Sequence, residues 1–390
     1  MKRIRVPAVV AGTVAAGTVV LVALTAFTLV ARQHRAAPER PRQPAAGPRL
    51  ASRLNTSQLA GQRVIYSYRG LTPPAALLQL IRQGEAAGVI FFAGNIASPA
   101  QLAAVARELQ QANLSPANPV RAPLLLMTDQ EGGEVRRLPG PPVLSEKQIG
   151  QSARPATQAR LAGTGAAANL RSAGLNVNLA PVLDVYRSAG DFLDQYGRSY
   201  STDPRQVAQL GADFITAQQA GGVAATAKHF PGLGAAARPQ DTDLRPVTLG
   251  VPRSALRGGD ELPYQAAIAA RVKLVMLSWA VYPALDPARP AGLSPAIVQG
   301  ELRHRLGFRG VTITDALGAG ALASFGGIGH RGQLAALAGL DLLLCSDHRV
   351  AEGEQALAGL AAGYRSGQLS HASGRAAVTR ILALRASLPG

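Results

Sequence analysis

Short apolar runs rich in β-branched residues recur along the chain from about residue 54 onward. They fall at 63–68, 88–92, 124–129, 175–185, 223–230, 273–279, 310–315 and 341–346. Between most of them lie stretches rich in Ala, Leu and Gln, with apolar residues at helical spacing: 101–112, 157–171, 204–220, 295–306 and 352–364. Eight strands alternating with helices predict an α/β fold, a (β/α)8 TIM-type barrel occupying 54–390 as one globular domain. A doubly wound open sheet is the alternative, but no G-x-G-x-x-G follows the first run. No repeat of about 20–50 residues is present.

The pattern before residue 54 is different. Positions 6–31 carry no charge and are rich in Ala, Val, Leu, Gly and Thr. A helix of about 20 residues crosses the apolar core of a bilayer, and a secretory signal core is shorter, about 7–15 residues. The segment 1–31 is therefore expected to be a transmembrane signal-anchor with the body of the protein outside the cytoplasm. A cleaved signal peptide is the alternative. Basic residues flank the stretch on both sides, so the positive-inside rule does not decide its orientation. Residues 32–53 read as a Pro/Arg-rich tether without apolar periodicity.

Composition narrows the partners. The chain has 390 residues, 47% of them hydrophobic, enough for a sizeable core. Its one cysteine, Cys345, excludes an internal disulfide framework and a Cys-based zinc site, and its apolar neighbours suggest a buried small hydrophobe. Lys+Arg 40 against Asp+Glu 23 gives a net charge of +17, which raises the question of nucleic acid. Only four of the basic residues are lysines, though, and much of the excess lies before residue 54. The remaining arginines are scattered and have few aromatic neighbours, unlike a stacking platform. No nucleic-acid partner is expected. The six histidines form no i, i+4 pair, so no metal site is expected either.

Chemistry-bearing residues gather where the predicted strands end. The third strand runs into Thr128-Asp129-Gln130-Glu131, the fourth into Asn178 to Asp184, the fifth into Lys228-His229-Phe230-Pro231-Gly232 and the seventh into Thr314-Asp315. In a barrel those ends form the active-site face. Any one cluster could be a strand-end cap. Together, carboxylates, a lysine and a histidine at one mouth suit an uncharged, polyhydroxylated ligand such as a sugar.

These blocks resemble glycoside hydrolase family 3, and within it the single-domain β-N-acetylhexosaminidases. The resemblance rests on 126–138, 178–185, 197–204, 228–234, 293–316 and 338–344, and covers roughly 55–385. It implies retaining hydrolysis of β-linked N-acetylglucosamine or related sugars through a covalent glycosyl-enzyme, without a cofactor. Asp315 matches the nucleophile. Asp129 matches an aspartate that binds sugar hydroxyls, and Lys228 and His229 match the pair that hydrogen-bonds the bound sugar. Arg198 and Arg137 stand in matching motifs, Arg137 either facing the sugar or making a structural ion pair. Glu131 is expected to buttress its loop.

Two departures from the family pattern stand out. The subgroup carries an Asp-Ser-His acid/base dyad on the loop after the fifth strand; here that loop has Asp241-Thr242-Asp243, and Leu233 replaces another histidine. No histidine occurs between His229 and His304. Asp243 or Asp241 serves as the acid, or the enzyme cleaves only substrates with good leaving groups, or the barrel is a non-catalytic carbohydrate-binding protein. The second departure is Trp279, where the family commonly has histidine. It is either a sugar-stacking platform or core packing at the barrel end. Nothing in the sequence indicates the oligomeric state.

Overall fold

The computed structural model describes residues 46–389. Eight parallel strands close into a barrel: β1 (Val64–Tyr66), β2 (Gly88–Ile90), β3 (Leu125–Thr128), β4 (Val177–Asn178), β5 (Ala224–Phe230), β6 (Leu274–Leu277), β7 (Val311–Ala316) and β8 (Leu342–Leu344). Each pairs with its sequence neighbours, and β8 pairs back onto β1 through Val64↔Leu343 and Ile65↔Leu344. All eight predicted runs contain a barrel strand. The regular strands are shorter than the runs except β7, which matches its run in length and ends one residue later. In 175–185 the regular ladder stops at Asn178; beyond it Leu179 donates to the Thr128 carbonyl and a Val182↔Lys228 bridge follows, and Pro181 has no N–H to offer.

Strand side chains alternate between two cores. Ile65, Ile90, Met127, Leu179, Met276, Ile313 and Leu344 fill the barrel interior. Val64, Tyr66, Val89, Leu126, Val275 and Leu277 point outward into the helix layer. That layer includes Pro99–Asn113, Pro155–Ser172, Pro204–Ala220, Ile328–Ala338 and Val350–Ser366. The predicted helix at 295–306 is present as Ala296–Arg305, wound in wider π-type turns.

The helix His371–Ala386 covers the lower end of the barrel, and its Ile381 and Leu384 join the interior cluster. Arg385 on that helix is wholly buried. Its guanidinium donates to the carbonyls of Pro123 and Ala122 at 2.7 Å each, and to Gln62. Burial without a carboxylate partner pulls its pKa down to about 9. Asp341, at the start of β8, lies at this same end. It pairs with Arg303 and Arg380, each at 2.7 Å, and accepts the Thr312 N–H at 2.9 Å.

The expected tether needs correction at its end. Ala46–Ala51 is a short helix. Its Leu50 and Ala51 pack against the main core, so the folded unit begins before residue 54. Six residues, fewer than two helical turns, give too short a pattern to read as periodicity. The expected membrane segment, 1–31, lies outside the described residues. Among those described, no helix is long and apolar enough to cross a membrane.

Candidate active site

The upper ends of the strands enclose a cavity of about 440 Å³. Its floor is the top layer of the barrel core, including Ile90, Leu179, Met276 and Leu344. Its walls carry Asp129, Arg137, Arg198, Lys228, His229, Asp243 and Asp315. Seven of the nine residues singled out from sequence therefore meet at one place. The remaining two, Asp241 and Trp279, support it from behind.

A chain of charges lines one side. Lys228, only 2% exposed, donates to Asp129 Oδ1 and Glu131 Oε1, both at 2.7 Å. Arg198 grips Glu131 with two hydrogen bonds, at 2.8 and 2.9 Å. Burial alone would raise the Glu131 carboxyl, but Arg198 and Lys228 outweigh it and hold it down at about 2. Burial opposes the Lys228 ammonium, yet Asp129 and Glu131 raise its pKa and keep it charged. Glu131 thus holds both cations in place. Beneath it sits Glu146, whose Oε1 accepts the Val182 N–H at 2.9 Å while Oε2 has no partner. Burial, then the charge of Glu131, pushes the Glu146 carboxyl well up.

His229 is oriented by Asp184. The Asp184 carboxylate is fully buried; it meets His229 Nδ1 at 2.7 Å and accepts the N–H groups of His229 and Leu233. With Nδ1 engaged, Nε2 is the ring nitrogen left for a ligand. One carboxylate therefore fixes both the histidine and the first turn of the loop after β5. Asp184 was noted in the sequence as a strand-end acid, but its role was not legible there.

Asp315 ends β7. Its Oδ1 accepts the Ala316 N–H at 2.7 Å, and the side chain faces the cavity, half-buried. Asp243 approaches from the loop after β5. The Asp241 carboxylate accepts the Asp243 N–H at 2.8 Å, closing an Asx turn that aims Asp243 inward. Asp243 lines the cavity and remains exposed to solvent at its mouth. Desolvation at the cavity wall pushes its carboxyl up to about 6, with the charges of Asp315 and Asp241 adding to the shift.

Arg137 reaches the cavity without a carboxylate partner among the described residues, and its Nε is unpaired. That favours ligand contact over a structural ion pair. Trp279 does the reverse. It is 1% exposed and absent from the cavity wall, and its indole N–H donates to the Ala316 carbonyl at 2.8 Å. The ring packs on Gly292, where an added Cβ would lie 2.4 Å away. No ring face is left for a sugar, so Trp279 is a strut beneath the Asp315 strand and not a stacking platform.

The sequence reading missed other wall residues. Phe92 follows β2, Phe192 lies between β4 and β5, and Asp347 follows β8. The end of β2, Phe91-Phe92, was a visible signal; one of the pair is buried outward and the other faces the cavity. Asp347 lies at the mouth beside Arg349. Asp341, six positions earlier, lies at the opposite end. Cys345 is fully buried, and burial raises its thiol pKa well above the usual value. Among the described residues no cluster of His, Cys, Asp and Glu is gathered to hold a metal ion.

Carboxylates facing one cavity at the upper end of a (β/α)8 barrel, Asp243 and Asp315 among them, beside a fixed lysine, arginine and histidine, are what a glycosidase requires. Residues 55–384 match the profile of the glycosyl hydrolase family 3 N-terminal domain, and the chain belongs to that family. Over 345 residues it is 45% identical to a protein of Arthroderma benhamiae described as an uncharacterized secreted glycosyl hydrolase, covering 88% of this chain and 96% of that one. It is 34% identical to a beta-hexosaminidase of Xanthomonas oryzae pv. oryzae, over 72% of this chain and 82% of the other. Among solved structures, the family 3 β-N-acetylglucosaminidase of a Paenibacillus species superposes with a TM-score of 0.80 at 36% identity. That match covers 86% of this chain, and this chain spans 63% of the longer Paenibacillus enzyme.

Proposed function

We propose that the protein hydrolyses β-linked N-acetylglucosamine-containing glycans with retention, using Asp315 as nucleophile and Asp243 as acid/base. The Asp315 side chain, held near the end of β7, attacks the anomeric carbon. Asp243 gives its proton to the departing glycosidic oxygen, and a glycosyl–Asp315 ester forms. Asp243 then takes a proton from water, which attacks the same carbon and releases Asp315. Asp129, Lys228, His229, Arg198 and Arg137 hold the sugar hydroxyls, and Asp241 orients Asp243.

The observation that carries this reading is the pair Asp243 and Asp315 on one cavity wall, near enough that the charge of one raises the other. It supplies a protonatable carboxyl where the family's histidine is missing. The preference for N-acetylglucosamine is supported by the names of the bacterial relatives.

The test compares an unactivated N-acetylglucosamine disaccharide with a dinitrophenyl N-acetyl-β-glucosaminide. Proton donation matters for a sugar leaving group and little for an activated phenol. Asp243→Ala is expected to abolish disaccharide hydrolysis, to spare glycosylation by the activated substrate, and to be rescued there by azide. Equal, small effects on both substrates would remove Asp243 from the mechanism. A wild-type protein that binds the sugar but turns over neither substrate would establish the alternative, a cell-surface carbohydrate-binding protein. The loss of the loop histidine favours that second reading.

The secreted relative supports a site outside the cytoplasm, and we propose 1–31 as its membrane anchor. The full-length protein should then fractionate with membranes, and removing residues 1–33 should release it. A soluble product with a mature N-terminus near residue 32 would instead indicate a cleaved signal.

A further inference from the structure

Gly320 opens the short 3-10 turn Gly320–Phe325 that follows β7. Its N–H donates to the Asp243 carbonyl at 2.7 Å, and the next N–H, from Ala321, donates to the Thr242 carbonyl at 3.0 Å. A Cβ on Gly320 would stand 2.3 Å from the Leu244 carbonyl oxygen and 2.9 Å from that of Asp243. Both are far inside van der Waals contact with backbone that cannot swing aside like a side chain. Gly320 is not among the residues with positive φ, so backbone conformation does not require glycine here. Close approach of the loop does.

The surface under the loop is itself held firmly. Leu317 N–H donates to the Leu344 carbonyl at 2.9 Å, tying the segment to β8. Trp279 holds the Ala316 carbonyl from below at 2.8 Å. Asp315 and Asp243 are therefore joined by five residues of anchored chain and two backbone hydrogen bonds.

We propose that Gly320 is a positioning residue: it seats the 242–244 backbone against the segment after β7 and so sets the Asp243 carboxyl against Asp315. The proposal rests on Asp243 being the acid/base. Residues 316–321 then act as a gauge between nucleophile and proton donor, fixing by contact a relation that the chain does not fix, since Asp243 lies 72 positions before Asp315 and Gly320 only five after it.

Gly320→Ala tests this in the otherwise intact protein. Gly300→Ala serves as control, since a Cβ there meets nothing within 4 Å. Two readouts are needed: amide exchange over 236–246 and 317–325, and turnover of the disaccharide and the dinitrophenyl glycoside. Gly320→Ala is expected to exchange about tenfold faster in both segments. It should lose at least about tenfold in kcat on the disaccharide and less than about threefold in glycosylation by the activated substrate. Added to Asp243→Ala, it should cost nothing further.

Unchanged exchange, or faster exchange with unchanged disaccharide turnover, overturns the positioning role while leaving Asp243 as the acid. If Asp243→Ala alone spares the disaccharide, the acid/base reading fails first and the positioning role falls with it. Should Gly320→Ala not fold, Ala321→Pro gives a second route: it puts no side chain at Gly320 and removes only the N–H that donates to the Thr242 carbonyl. The same shifts are expected at smaller size; a folded Ala321→Pro with wild-type exchange and kinetics would refute the proposal.

Discussion

At the scale of single residues, the site depends on giving like groups different environments. Glu131, Glu146 and Asp243 are all carboxyls around one cavity. Two cations hold Glu131 down at about 2, burial and the charge of Glu131 push Glu146 well up, and Asp243 is raised to about 6. A general acid must hold its proton to work. Because the Asp243 pKa is raised from 3.8 to about 6, kcat/KM on an unactivated disaccharide should fall as pH climbs through about 6. Glycosylation by the dinitrophenyl glycoside, whose leaving group needs no proton, should not show that limb. Asp315→Asn removes the covalent route and should lower turnover at least about a thousandfold, roughly 4 kcal/mol of transition-state stabilisation. Sugar affinity, measured by calorimetry, should be nearly unchanged, because other side chains make the hydroxyl contacts. Near-normal activity in Asp315→Asn would require another nucleophile.

At the scale of elements, the strands and loops around the cavity are braced from outside it. Asp184 ties β4 to the loop after β5, and Tyr282 Oη donates to the Gly232 carbonyl at the start of that loop, at 2.9 Å. Buried Asp260 packs on Gly232 and pairs with Arg187 at 2.6 Å. Burial nevertheless lifts its carboxyl to about 7. Trp279 does the corresponding work for β7. Trp279→Phe would leave the Ala316 carbonyl without its donor and should lower unfolding stability by about 1–2 kcal/mol. Sugar affinity should stay within about twofold, since the ring does not reach the cavity. A tenfold loss of affinity at unchanged stability would instead mark the ring as a sugar platform.

At the scale of the whole molecule, the barrel separates chemistry from stability. The upper face carries the cavity, and the lower end carries Asp341 with Arg303 and Arg380 and the buried Arg385. Asp341→Ala leaves two cations without the carboxylate they share and should cost about 3 kcal/mol in chemical denaturation. Turnover per folded molecule should not change. A selective loss of activity at full stability would show that the two ends are coupled.

The barrel was legible in the sequence because eight β-branched runs alternate with helical spacing, and local pattern carries that information. Asp129, Lys228, His229 and Asp315 were legible because strand ends in a barrel share one face. Tertiary structure alone decided the rest. Trp279 and Asp315 both close predicted strands, yet one turns behind the site and the other into it, a choice made by packing against Gly292 and not by spacing. Asp341 and Asp347 are six positions apart in the chain and lie at opposite ends of the barrel, since a strand separates them. The short helix Ala46–Ala51 exists because Leu50 and Ala51 find the core, a long-range contact that a local pattern cannot contain. The poise of Asp243 is of the same kind: it arises from partial burial and from Asp315, which the fold brings close and the chain does not.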